Sequence, residues 1–249
     1  MVILKLPDEI EKARASNRIV AEVLSKIREK VKPGVTTREL NKLAEEVTEK
    51  RGAKPAFKGY RGFPYSLCAS VNEQVVHGMP SERVLVEGDI IGVDFGIYHQ
   101  GYFGDAAITL PVGKVDKKAL MLMQVTEQSL YAGIEQVRAG NRLGDISAAV
   151  QGNVEVAGFS VVRDFVGHGV GKNLHEDPQI PNYGKKGRGV ELKIGMILAI
   201  EPMVNAGGYK VRVLPDGWTV VTEDSSLSAH FEHSVAITDN GPDILSKLN

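Results

Sequence analysis

Gly88-Asp89-Ile90-Ile91-Gly92-Val93-Asp94 and Gly195-Met196-Ile197-Leu198-Ala199-Ile200-Glu201 carry the organisation of this chain between them. Each opens on Gly, contains an apolar run (Ile90–Val93 and Met196–Ile200) and ends on a carboxylate. Such a run reads as a buried strand, and a carboxylate at its end is costly unless something offsets it. The correspondence extends outward. Val31-Lys32-Pro33-Gly34 recurs as Val137-Arg138-Ala139-Gly140, Glu39-Leu40 as Asp145-Ile146, and Gly52 as Gly158, all at one offset. Ala107-Ile108-Thr109 is echoed by Ala236-Ile237-Thr238, each shortly after a carboxylate, Asp105 and Glu232. Helix, turn and strand repeating in one order point to duplication. The expected architecture is one domain over residues 1–249, with related α/β halves at about 1–112 and 137–249 and a site between them.

The helices follow from spacing. Ile10, Ala13, Val20, Ala21, Leu24, Ile27 and Val31 recur at three and four residues, predicting a helix from about Pro7 to Val31, stopped by Pro33-Gly34. Thr36 with Glu39 reads as a capping box opening a second helix, which ends at Gly52. Two more are expected, over about Asp116–Arg138 and Leu143–Gly158. Strands are expected over Ser66–Val71, Ile90–Tyr98, Tyr102–Val112, Ser160–Val166, Met196–Ile200, Trp218–Thr222 and His230–Thr238. Pro215-Asp216-Gly217 predicts a turn.

Composition removes several function classes. Thirty Lys and Arg against 31 Asp and Glu give a net charge of −1, which argues against a protein that coats nucleic acid or an anionic membrane. A 43% hydrophobic content is too high for a disordered chain. The single cysteine, Cys68, cannot form an internal disulfide. Met1 to Leu6 is apolar apart from Lys5, but Pro7-Asp8-Glu9 ends the run far short of an export signal. No stretch approaches the ~18 consecutive apolar residues of a membrane span. The cytoplasm is the expected compartment.

Asp94 and Asp105 each interrupt an otherwise apolar strand. A turn through His99-Gln100 would set them directly opposite each other, with like charges that a bound cation would relieve. His168 lies in Gly167-His168-Gly169-Val170-Gly171, where the glycines let the backbone approach a neighbour closely. This is not a dinucleotide loop, because Lys172 stands where the last Gly belongs. Nor is His175-Glu176-Asp177-Pro178 a zinc helix, because Gln179 replaces the second His. Glu201 and Glu232 complete a set of four carboxylates and one imidazole. That set suits two divalent ions such as Mn, Fe, Co or Zn, which can share a hydroxide and polarise a carbonyl.

The chain resembles the type I methionine aminopeptidases of the short bacterial form. The resemblance rests on Phe165-Val166-Gly167-His168-Gly169-Val170-Gly171, His175-Glu176-Asp177-Pro178, Ile180-Pro181-Asn182-Tyr183, Cys68-Ala69-Ser70-Val71-Asn72-Glu73 and His77-Gly78-Met79-Pro80. Val93-Asp94, Gly104-Asp105, Ile200-Glu201-Pro202 and Phe231-Glu232-His233 add to it. It implies an α+β "pita-bread" fold, two pseudo-symmetric halves around a dinuclear metal site. It also implies removal of initiator methionine before a small second residue, by a monomer acting on nascent N-termini near the ribosome. Asp94, Asp105, His168, Glu201 and Glu232 would hold the metals, with Asp94 and Glu232 bridging and Glu201 the base. His77 would lie near the scissile nitrogen and His175 on the carbonyl. Phe57, Tyr60, Phe63, Cys68, Leu174 and Trp218 match the methionine pocket. Asn72, Gln74 and Ser228 match a monovalent-cation loop of some members. His230 departs from the usual Gln, and Phe57 from the usual Cys. The resemblance leaves two other readings: a pita-bread peptidase for Xaa-Pro substrates, and a non-catalytic module that binds growth factors or RNA.

Overall fold

The computed structural model describes residues 2–247. Met1, Leu248 and Asn249, the ends of the expected domain, lie outside the described residues.

Helix α1 (Pro7–Lys30) starts on Pro, places Asp8 and Glu9 in its first turn, and stops at Val31, as helix electrostatics and proline geometry favour. Helix α2 (Thr37–Lys50) has the expected capping box. Glu39 N–H donates to Thr36 Oγ1 at 3.2 Å, and Thr36 N–H donates to Glu39 Oε2 at 2.7 Å. Helix α3 (Lys117–Glu135) is capped by Asp116, which accepts from Ala119 N–H at 2.7 Å. Helix α4 (Leu143–Val156) follows, and α3 and α4 both stop short of the residues expected to end them. None of the described helices is long and apolar enough to cross a membrane.

A nine-stranded sheet holds these helices together. Its central order is Ile90–His99, Tyr102–Pro111, Glu232–Thr238, Ile197–Ile200, Gly167–Gly169, and every pair is antiparallel. The hairpin Ile90–Pro111 therefore abuts the C-terminal strand Glu232–Thr238 at the pairing of Glu232 with Ala107. The sheet's alternation decides what each side sees. Ile91, Val93, Phe95 and Ile97 join the apolar cluster of α1 and α2, with Val20, Leu24 and Leu40. Leu198, Ile200, Val235 and Ile237 join that of α3 and α4, with Leu122 and Ile146. Asp94, Asp105 and Glu232 fall on the opposite parity and face away from the helices.

Three expectations need correcting. The hairpin does not turn through His99-Gln100. Gln100 and Gly101 form a two-residue turn with φ of 51° and 86°, the left-handed pair that suits the twist of a tight hairpin. His99 therefore pairs with Tyr102, Asp94 with Ala107 and Asp105 with Gly96. The aspartates share a face but stand diagonally. Second, the His230–Thr238 run is broken at Phe231: Ser228–His230 belongs to a separate three-stranded sheet, and Glu232–Thr238 to the large one. Third, Ser160–Val166 and Trp218–Thr222 shrink to Ser160–Val161 and Val220–Thr222. The turn at Pro215-Asp216-Gly217 is present, closed by Gly217 N–H donating to Leu214 O at 3.0 Å.

Candidate metal centre

Neighbouring strands deliver the site one residue at a time. Asp94 comes from Ile90–His99, Asp105 from Tyr102–Pro111, Glu232 from Glu232–Thr238, Glu201 from just beyond Ile197–Ile200, and His168 from Gly167–Gly169. His168 thus sits in a short strand. The reason is space: a Cβ on Gly167 would press into the carbonyl oxygen of Ala199, and one on Gly169 into that of Asp177. Glycine lets this short strand lie against both neighbours.

The surrounding framework holds these backbones. Asp105 N–H donates to Asn17 Oδ1 at 3.2 Å, and Ser234 Oγ donates to Asp105 O at 2.8 Å. Helix α1 reaches this strand because Gly104 has no side chain; a Cβ there would lie 2.7 Å from Asn17 N. Asn182 Nδ2 donates to Glu201 O at 3.0 Å.

All thirteen residues expected in the site line a single cavity of about 180 Å³. Asp94, Asp105, His168, Glu201 and Glu232 form one wall, His77 and His175 stand beside it, and Phe57, Tyr60, Phe63, Cys68, Leu174 and Trp218 form an apolar lobe. Arg61, Val76, Phe165 and Val166 also line it and escaped the sequence reading. Phe165 and Val166 come from a loop, Val76 from the short strand Gln74–Val76 and Arg61 from the single 3-10 turn Tyr60–Gly62, none with a periodic signal. His77 packs edge-on to Phe165 and Trp218, with centroids 5.7 and 6.2 Å away.

Within the polar wall, ligand atoms of Asp105, His168 and Glu232 lie within 4.8 Å of one another. Glu201 Oε1 is 3.7 Å from His168 Nε2. Asp94 Oδ1, Asp105 Oδ1 and Glu232 Oε1 are buried with no hydrogen-bond partner among the described residues. Buried, unpaired carboxylate oxygens are expensive, and a divalent cation is the group that fits them. The donor set, oxygen-rich with one imidazole, suits Mn, Fe, Co or Zn.

The protonation states follow from burial and from the mutual proximity of the carboxylates. Burial raises Asp94 to about 7 and Glu201 to about 8. Asp105 and Glu232 rise well above the ordinary range, through burial and then through neighbouring carboxylates. Burial also lowers His77 to about 4, helped by His230 and His175. His175 falls to about 4 through burial, then His168 and Arg61. Both imidazoles are thus neutral near pH 7. Asn72, Gln74 and Ser228 also come together, but their side chains are committed to protein partners: Asn72 to Asp89, Gln74 to Val71 N–H and Ser228 to Asn205.

The sequence matches the model of metallopeptidase family M24 over residues 11–239. It is 54% identical to the methionine aminopeptidase of Clostridium perfringens over 248 residues, covering 100% of both chains. The fold superposes on the crystal structure of a Thermotoga maritima methionine aminopeptidase with a TM-score of 0.98, at 51% identity and 100% coverage of both chains. A prolidase from Pyrococcus furiosus shares the fold at a TM-score of 0.79 and 22% identity, over 99% of this chain and 66% of its own.

Proposed function

Because the chain belongs to metallopeptidase family M24, and within it to the methionine aminopeptidases, we propose that it removes the initiator methionine from nascent polypeptides whose second residue is small. It is a metal-dependent hydrolase with the pita-bread fold. On this reading the whole chain is one catalytic domain of two related halves. It works in the cytoplasm as a monomer, close to the ribosome.

The observation that carries the reading is the convergence of four carboxylates and one imidazole on a cavity with an apolar lobe. Asp94, Asp105, His168, Glu201 and Glu232 would hold two divalent ions. When bound, the ions would supply positive charge that acidifies a water molecule and polarises the scissile carbonyl. Glu201, buried in the polar wall between His168 and His230, would serve as the base that takes a proton from the attacking water once the cations hold it ionised. His175, neutral, donates to the carbonyl oxygen as negative charge develops there. His77 sits near the scissile nitrogen. Phe57, Tyr60, Phe63, Cys68, Leu174 and Trp218 receive the methionine side chain, whose thioether suits an aromatic and sulfur lining.

Comparing Met-Ala-Ser with Met-Leu-Ser, in the presence of cobalt or manganese, tests this. Methionine should be released from the first peptide and far more slowly from the second, and a chelator should stop both. Equal rates on the two peptides would remove the claim of small-residue specificity.

A further inference from the structure

The carboxylate of Glu201 lies between two imidazoles. His168 Nε2 is 3.7 Å from Oε1, and His230 Nε2 is 3.6 Å from Oε2. His168 belongs to the proposed ligand set, whereas His230 has no part in the mechanism. Its side chain is only 4% exposed, and its Nε2 has no hydrogen-bond partner among the described residues. Leaving a buried donor unpaired costs about 1–3 kcal/mol, so packing alone is a poor reason for an imidazole here.

Both backbones are fixed. His230 N–H donates to Thr109 Oγ1 at 2.9 Å, and the same hydroxyl donates to His230 O at 2.8 Å. His230 also pairs with Met203 across the small sheet. Glu201 is held through its carbonyl by Asn182. What remains free is rotation of the carboxylate and the ring, and a few tenths of an ångström would bring the 3.6 Å contact into hydrogen-bond range.

We propose that His230 is a positioning residue for Glu201: Nε2–H donates to Oε2 and keeps Oε1 turned toward His168 and the cation. This rests on the reading of Glu201 as a cation-holding residue. Outer-shell donors of this kind fix the orientation of a ligand, and losing one typically weakens metal affinity roughly 10–100-fold. His230→Leu removes the donor at similar size. His230→Gln restores a donor of comparable reach.

The test is titration of chelator-treated, full-length protein with Co²⁺, followed by calorimetry and by the visible d–d absorption of the bound ion. The leucine variant should bind cobalt roughly 10–100-fold more weakly and with an altered spectrum. The glutamine variant should return both properties to near wild type. A leucine variant indistinguishable from wild type overturns the proposal. So does a glutamine variant no better than leucine, because then the imidazole acts as a ligand or as filler, not as a donor. Wild-type protein that takes up no cobalt would instead overturn the metal-centre reading, and this inference with it. His230→Met carries the same test if leucine disturbs folding, as judged by circular dichroism.

Discussion

Asp94 and Asp105 occupy one face of a hairpin two residues out of register, Asp94 opposite Ala107 and Asp105 opposite Gly96. Diagonal partners on a sheet stand about 7–8 Å apart at Cα. That spacing suits carboxylates that converge on something between them better than carboxylates that share a proton directly. Glu232, opposite Ala107 from the other side, continues the arc.

The charge in that arc should govern stability. Burial holds Asp94 at about 7 and Glu201 at about 8, against ordinary values of 3.8 and 4.5. A carboxyl raised on folding binds its proton more tightly in the folded state. Its contribution is complete below the ordinary range and is lost as pH climbs through about 7 to 8. Cation-free protein should therefore melt at lower temperature near pH 9 than near pH 6. Divalent-ion uptake should release protons and strengthen as pH rises. Thermal melts with and without chelator check this; a melting temperature indifferent to pH in chelator would contradict it.

Tyr60 should matter through its hydroxyl. The oxygen lies 2.8 Å from His175 Nδ1, and the two rings stack with centroids 5.3 Å apart. If the hydroxyl donates there, His175 keeps its proton on Nε2, ready to donate to a carbonyl oxygen. Tyr60→Phe preserves the ring and removes the bond, a loss of about 0.5–1.5 kcal/mol. The expected outcome is a kcat lowered by a few-fold to about tenfold, with KM little changed. Unaltered kcat would show that the hydroxyl does not orient the imidazole.

Gly169 should not tolerate alanine. The new methyl would meet the Asp177 carbonyl carbon at 2.9 Å and Glu176 O at 3.2 Å, both backbone atoms. Overpacking of this kind costs about 1–3 kcal/mol or more. It would also displace the adjoining His168, so cobalt affinity should fall alongside the denaturant midpoint. A variant of wild-type stability would mean that the strand pair can separate cheaply.

Cys68 should be inert. It is buried in the apolar lobe. Burial pushes its thiol well up, and Asp94, Asp105 and Glu232 push it further. Thiolate is the reactive form, so iodoacetamide should label the protein only after denaturation. Rapid labelling of the native protein would place the thiol in solvent.

Much of this was legible in the sequence, for identifiable reasons. The four helices followed from spacing and caps, as Thr36 with Glu39 illustrates. The carboxylates stood out because an acid such as Asp94 or Glu232 interrupts an apolar strand. Register was not legible. It depends on Gln100, an ordinary residue, adopting φ of 51° beside Gly101, and nothing local announces that. Strands of three residues, such as Gln74–Val76 and Met203–Asn205, are too short for alternation to register. The break at Phe231 arises because His230 and Glu232 pair into different sheets, a tertiary choice. Arg61 reaches the cavity from a single 3-10 turn and Phe165 from a loop, where pattern carries no information.

The most direct measurement is hydrolysis of Met-Ala-Ser and Ala-Pro-Ala by protein loaded with cobalt or manganese, with the Glu201→Gln variant alongside. Wild-type protein should release methionine from Met-Ala-Ser and leave Ala-Pro-Ala intact. The variant, having lost its base, should be slower by roughly 10²–10⁴-fold or more. Cleavage of the proline peptide with Met-Ala-Ser untouched, or near-wild-type kcat in Glu201→Gln, would contradict the account.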